Sequence, residues 1–363
     1  MDVLTIIPRA DALPVASGWF TFLLYLTYYL HLLGTGVMFG GAAVAALGHF
    51  KGKTDPKWQR LGGDMSKILP FSIAFTVNLG VAPLLFLQVL YGNFFYSASI
   101  LVGIPWLLLI LVLIAGYYMA YWVVFRKGAG VKSKRVVSLL VVVLLTWIAF
   151  MLVNVNTLMM TPGKWRGMYQ SAMNGMNLNL GELTLFPRLI MYLFMFMAIG
   201  GAFVALFYKL RPNGGDETST LGTRLGDLVS GYFSLLLAPA FLLVVFLQPP
   251  AIKEYFLGGS LLWTLLVIAA ALGFLAAGYL FFRRKVMGAS GLLAVLLVLF
   301  VFIRNHIRDL YLQPFQEAFS SLGDITQYGI MMLFFLVLVL GLAVVAWILW
   351  KVARERQTFE SAS

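Results

Sequence analysis

The chain is predicted to fold as an all-α polytopic membrane protein with nine transmembrane helices, and three observations predict it. Of its 363 residues, 61% are hydrophobic and 11% charged, with a mean hydropathy of +0.91. Soluble domains carry about 25% charged residues. Nine apolar stretches are long enough to cross a bilayer at about 1.5 Å rise per residue. Basic residues gather in every second connection.

The stretches run over residues 18–47, 68–92, 98–125, 136–158, 185–209, 228–248, 258–282, 288–308 and 328–350. In the first, Gly34, Gly36, Gly40 and Gly41 clear one side for a close helix or a flat ring. The second holds Asn78, Gln88 and Asn93 among apolar residues. Its Pro83 lacks a donor and should kink the helix. The third is free of charge. The fourth ends in NVNTLMMTPGKWRG, where Asn154, Asn156, Thr157, Lys164, Trp165 and Arg166 make a polar lip, Trp165 serving equally as an interfacial aromatic. Met191, Met195 and Met197 crowd the fifth, mostly as filler. Asp227 marks only the start of the sixth. The eighth is the weakest span, because Arg304, His306, Arg308 and Asp309 sit at its end. Residues 1–363 thus form one transmembrane domain, with a loop at 159–184 and a tail at 351–363.

Charge orients the bundle. Lys51, Lys53, Lys57, Arg60 and Lys67 follow the first stretch, and Arg126, Lys127, Lys132, Lys134 and Arg135 the third. Lys209, Arg211 and Arg224 follow the fifth, Arg283, Arg284 and Lys285 the seventh, and Lys351, Arg354 and Arg356 the ninth. These are 19 of the 26 basic residues. The positive-inside bias makes that side cytoplasmic, with the N-terminus outside, the C-terminus inside and 159–184 extracytoplasmic. The net charge of +12 is a topology signal, and no nucleic-acid partner is expected. MDVLTIIPRADALPVASG lacks a basic n-region and cleavage site, so it reads as a short leader rather than a signal peptide.

With no cysteine, iron–sulfur clusters and covalent haem are excluded on this chain. A non-covalent haem needs only an imidazole or a thioether. The chain has three histidines, and two stand where hydrocarbon makes an ionisable group costly. His31 lies within TYYLHLLGTG. His306 lies in RNHIRD, flanked by Arg304 and Arg308, whose spacing puts two guanidiniums on one helix face. Arginine forks suit haem propionates. Each histidine is read as a haem ligand, against a hydrogen bond across helices for His31 and a snorkelling terminus for the RNHIRD segment. His49, beside Lys51 and Lys53, reads as interfacial. Glu182 stands at the mouth of the site, relaying a proton or pairing with Arg188.

The arrangement resembles subunit I of the cytochrome bd-type quinol oxidases, over roughly residues 18–205 with interruptions. His31 in TYYLHLLGTG matches a haem-ligating histidine of that family's first helix. The KTDP turn, the Gly80–Pro83–Gln88 order and the Gly92–Asn93 end are similar to its first cytoplasmic loop and second helix. NVNTLMMTPGKW is similar to the end of its fourth helix, and ELTLFPRLIMYLFMFMAIGG to the opening of its fifth. The resemblance implies a nine-span bundle in a prokaryotic cytoplasmic membrane, heme b, quinone or quinol as substrate, and a companion membrane subunit. It puts Met195 nearest the place of the low-spin haem histidine. The chain departs from the family at several points. QPPAIKEYFLGG is short where the family has a quinol-binding loop. The glutamates of helix three are missing, and no methionine stands near Trp263. Asn305 and Arg308 keep the spacing of a glutamate ligand and an arginine without the carboxylate, so neighbouring His306 is the substitute ligand.

These departures favour a bd-like b-type cytochrome over an oxygen reductase. Such a protein passes electrons between the quinone pool and an outer-face carrier such as cytochrome c. On this reading His31 and His306 hold iron, Arg304 and Arg308 orient propionates, and Gln88, Asn154 or Trp165 shape the cavity. A quinol-dependent oxygen reductase subunit, a cofactor-free scaffold of a redox complex, and a transporter or channel are the other readings. Spans two to five hold no carboxylate, which disfavours a cytoplasmic proton wire, and no repeat or carbonyl filter marks a transporter or channel.

Overall fold

Long apolar runs cannot leave backbone polar groups unpaired in hydrocarbon, so each becomes a helix. The computed structural model describes residues 3–9, 12–13, 16–126, 130–211, 216–316 and 327–362. Among these, nine helices are long and apolar enough to cross a membrane. They are α1 (Ser17–Lys51), α2 (Pro56–Leu101), α3 (Gly103–Phe125), α4 (Val131–Met159), α6 (Leu185–Lys209), α7 (Glu217–Phe246), α9 (Leu261–Phe282), α10 (Val286–Gln316) and α11 (Tyr328–Ala362). The short helices α5 (Trp165–Ser171) and α8 (Pro250–Glu254) lie in connections. Among the described residues there is no strand.

Local chemistry sets several ends. Pro56 occupies the first turn of α2, and the Asp55 carboxylate accepts from the Lys57 amide at 2.9 Å. Asp216 caps α7 by accepting from the Ser219 amide at 2.7 Å. That bond holds the Asp216 carboxyl below its ordinary value. Ion pairs Lys57–Glu217 and Arg211–Asp64, both 2.9 Å, join the ends of α2, α6 and α7. This is the basic end of the bundle. The opposite, far end holds the 159–184 connection.

Glycines on α1 resolve into tight helix contacts. A Cβ at Gly36 would lie 2.5 Å from Ile199, and one at Gly40 2.5 Å from the Gly200 Cα. Gly48 meets Gly62 of α2 equally closely. So Gly36 and Gly40 serve backbone approach to α6, not a flat ring. Gly40→Leu is expected to push α1 off α6 and cost at least about 2 kcal/mol. Its readout is the thermal unfolding midpoint in detergent, which an open contact would leave unchanged.

The helices hold two features that local rules leave out. The non-helical residue inside α2 is Tyr91 (φ −135°, ψ 27°), eight positions beyond Pro83. Helical angles persist at Pro83, and Tyr91 bonds to Asp309 and Arg308 of α10. Asp227 lies well inside α7 and is 5% exposed, with Oδ1 unpartnered. Segment eight, the weakest by composition, is a continuous helix past its charges to Gln316. α11 is exposed along its apolar length, and the Trp19–Phe335 edge contact at 5.1 Å joins it to α1. Lipid suits such a surface.

Candidate functional site

His31 projects from α1 onto α2, where Gly80 leaves room for the ring; a Cβ there would lie 2.7 Å from the imidazole Cε1. Nδ1 stands 3.1 Å from the Thr76 carbonyl. A carbonyl only accepts, so Nδ1 carries the proton and Nε2 keeps a lone pair. Thr35 Oγ1 is 3.5 Å from Nε2 and gives its proton to the His31 carbonyl at 2.7 Å. The imidazole is therefore oriented through one nitrogen and left basic at the other, which is how metal-ligating histidines are held.

His306 is placed differently. Its ring stacks on Trp263 of α9 at 4.0 Å and 9°. Tyr255 and Phe256 flank it, and Nε2 stands 3.4 Å from the Tyr255 hydroxyl. Arg304 and Arg308 leave α10 on another side, because residues two positions apart point about 200° from each other around a helix. The expected haem edge of one histidine between two arginines is thus not assembled. The partners of His31 lie on α1 and α2, and those of His306 lie in the 255–263 region, so no contact joins the two histidines among the described residues.

The two arginines instead form part of a buried polar cluster at the far end. Arg308 is 1% exposed; its Nε and Nη2 donate to Asp309 at 3.2 and 3.0 Å, and Nη2 also to Tyr91 at 2.9 Å. Tyr91 donates to the same Asp309 oxygen at 2.7 Å. Arg304 donates to Asn156 at 2.6 Å and to Asn305 at 2.8 Å, and lies 5.0 Å from the Tyr28 ring. The Tyr28 and Tyr192 hydroxyls meet at 2.9 Å. Arg188, 7% exposed, donates to Thr184 at 3.1 Å and Gln248 at 3.0 Å, within electrostatic reach of Arg304. Three guanidiniums thus face one bonded carboxylate, Asp309, among the described residues.

The orphaned atoms here are all donors. Arg308 Nη1, Asn305 Nδ2 and Asn154 Nδ2 have no partner. The carbonyl oxygens of both asparagines are taken by donors, Arg304 and the Asn179 amide. Buried donors without acceptors, beside excess positive charge, suit an anionic, acceptor-only group.

Other expected residues are simply placed. Met195 and Met191, 1% and 3% exposed, are core. Gln88 is half-buried with no hydrogen bond among the described residues. Trp165 is buried and donates to the Leu158 carbonyl at 2.9 Å, so it closes the far end as packing rather than as an interfacial ring. His49 is buried on Ser66 Oγ at 2.9 Å. Sequence reasoning missed Tyr28, Tyr91 and Tyr192; their signal was polar tips within apolar helices.

Glu182 pairs with Lys164 at 2.6 Å, not with Arg188. Burial pushes its carboxyl up, but Lys164 and Thr184 outweigh this and hold it below its ordinary value. A lowered carboxyl stabilises the folded loop above its unfolded pKa, and the contribution disappears as pH falls through the lowered value. Amide protection in 159–184, taken relative to the intrinsic exchange rate at each pH, is expected to fall on acidification from pH 6 to pH about 3 in the protein and to be less pH-sensitive in Glu182→Gln. Equal pH sensitivity in both would remove this pair as the cause.

No protein-family model matches the chain, and no curated protein matches it.

Proposed function

We propose that this chain is a bd-like b-type membrane cytochrome that passes electrons between the quinone pool and a redox carrier beyond the far end. In this reading the basic end is cytoplasmic, the N-terminus is outside, the membrane is a prokaryotic cytoplasmic membrane, and a companion membrane subunit completes the complex. The observation that carries it is the His31 imidazole, fixed at Nδ1 by the Thr76 carbonyl, with Nε2 meeting only the Thr35 hydroxyl at 3.5 Å, on a helix apolar and long enough to cross a membrane. His31 would hold the iron, Thr76 would orient the ring, and Gly80 would keep its place clear. Bound haem would supply a one-electron couple within the membrane. The excess of buried guanidinium supports the same reading, since Arg304 and Arg308 would receive the acid groups of such a cofactor.

The cofactor-free scaffold is the second reading. What favours it is the engagement of His306 with Trp263 and Tyr255, a packing role that needs no iron. The deciding measurement is a dithionite-reduced minus oxidised spectrum with a pyridine haemochrome assay on the natively produced chain. About one b-type haem or more per chain is expected. A folded, colourless protein would sink the cytochrome reading and leave the scaffold.

A further inference from the structure

At the basic end a groove of about 700 Å³ opens between α2 and α6. Its wall is apolar, formed by Ile68, Phe203, Leu206, Phe207 and Leu210, and its rim holds Asp64, Lys67 and Arg211. This charge lies where the apolar stretches of α2 begin and of α6 end, the level of a bilayer interface.

The rim is unevenly satisfied. Asp64 accepts from Arg211 at 2.9 Å and from the Tyr208 hydroxyl at 3.3 Å. Lys67 reaches the other Asp64 oxygen only at 4.0 Å, and its side chain is 73% exposed. One carboxylate thus faces two cations, and Arg211 remains 43% exposed at its pair. Above this positive rim, Leu210 is 64% exposed. A soluble anion would use the rim and leave the wall bare; an apolar chain alone would leave Lys67 unmatched.

We propose that this groove is a binding site for an anionic phospholipid, its phosphate on Lys67 and Arg211 and an acyl chain along Phe203, Leu206 and Phe207. Basic pockets between transmembrane helices hold lipid headgroups in this way, each cation contributing about 1 kcal/mol. The site is separate from the His31 and arginine cluster and does not depend on haem.

The test is native mass spectrometry of the full chain, titrated with palmitoyl-oleoyl phosphatidylglycerol against the phosphatidylcholine of the same chains. The protein is expected to retain phosphatidylglycerol preferentially. Lys67→Gln, at an exposed position that leaves the Arg211–Asp64 pair intact, is expected to weaken that retention about fivefold (about 1 kcal/mol). Leu206→Trp, which fills the wall, is expected to displace both lipids together. Equal retention of the two lipids by the unaltered protein would overturn the proposal, as would unchanged phosphatidylglycerol retention in Lys67→Gln. A stoichiometric polypeptide crosslinked to Lys67 in the native membrane would overturn it too, by giving the groove to a protein.

Discussion

Asp309→Asn is expected to be among the most damaging single substitutions in the molecule. The asparagine keeps the shape and an acceptor oxygen but removes the only carboxylate bonded, among the described residues, to Arg308, which is 1% exposed. Tyr91 loses its charged acceptor in the same step. Removing one partner of a buried pair costs about 3–5 kcal/mol, because the remaining charge stays desolvated. The Asp309 side chain is 35% exposed, which moves the expectation to the lower end, about 3 kcal/mol. The reversal is the stronger test. Arg308→Met in the Asp309→Asn background removes the stranded charge and is expected to recover most of the loss. Unfolding midpoints of the two singles and the double, measured in one detergent, read out the coupling. A cost below about 1 kcal/mol for Asp309→Asn would show that water reaches Arg308 and that the cluster is not dry.

The second large effect concerns the proposed cofactor. His31→Leu is expected to abolish b-type haem while leaving a folded bundle, because leucine fills the space and removes only the Thr76 and Thr35 contacts. Gly80→Ala separates ligation from mere presence of the ring. Its methyl would stand 2.7 Å from Cε1 and 2.9 Å from Nδ1, so the imidazole must turn and lose Thr76. Haem content or the reduced spectrum is expected to change in Gly80→Ala with His31 still present. His306→Leu is expected to keep the haem and lower stability by about 1 kcal/mol through the lost Trp263 stack. Full haem in His31→Leu would refute ligation by this residue.

Much of the architecture was legible in the sequence, because it depends on local hydropathy. An apolar run about 20 residues long has one low-energy form in hydrocarbon, so all nine spans followed from composition. The caps at Asp55 and Asp216 are local in the same sense. The candidate site was only half legible. His31, Arg304 and Arg308 were found because histidine and arginine are rare among apolar residues. Their partners were not, because Thr76, Asp309 and Asn156 are ordinary in composition and meet these residues only across helices.

Rotation about the helix axis is the quantity that spacing along one helix leaves open. Two residues apart on α10, Arg304 and His306 look like one motif, yet one meets Asn156 and the other stacks on Trp263. The helix α2 leaves helical geometry at Tyr91, whose hydroxyl meets Asp309 and Arg308, eight residues past the proline that local rules single out. Hydropathy and charge thus determined that the described residues form nine helices long and apolar enough to cross a membrane, with one basic end. Packing between helices decided which faces meet, which glycines are contacts, and which charges lie together, because those energies depend on neighbours distant in the chain.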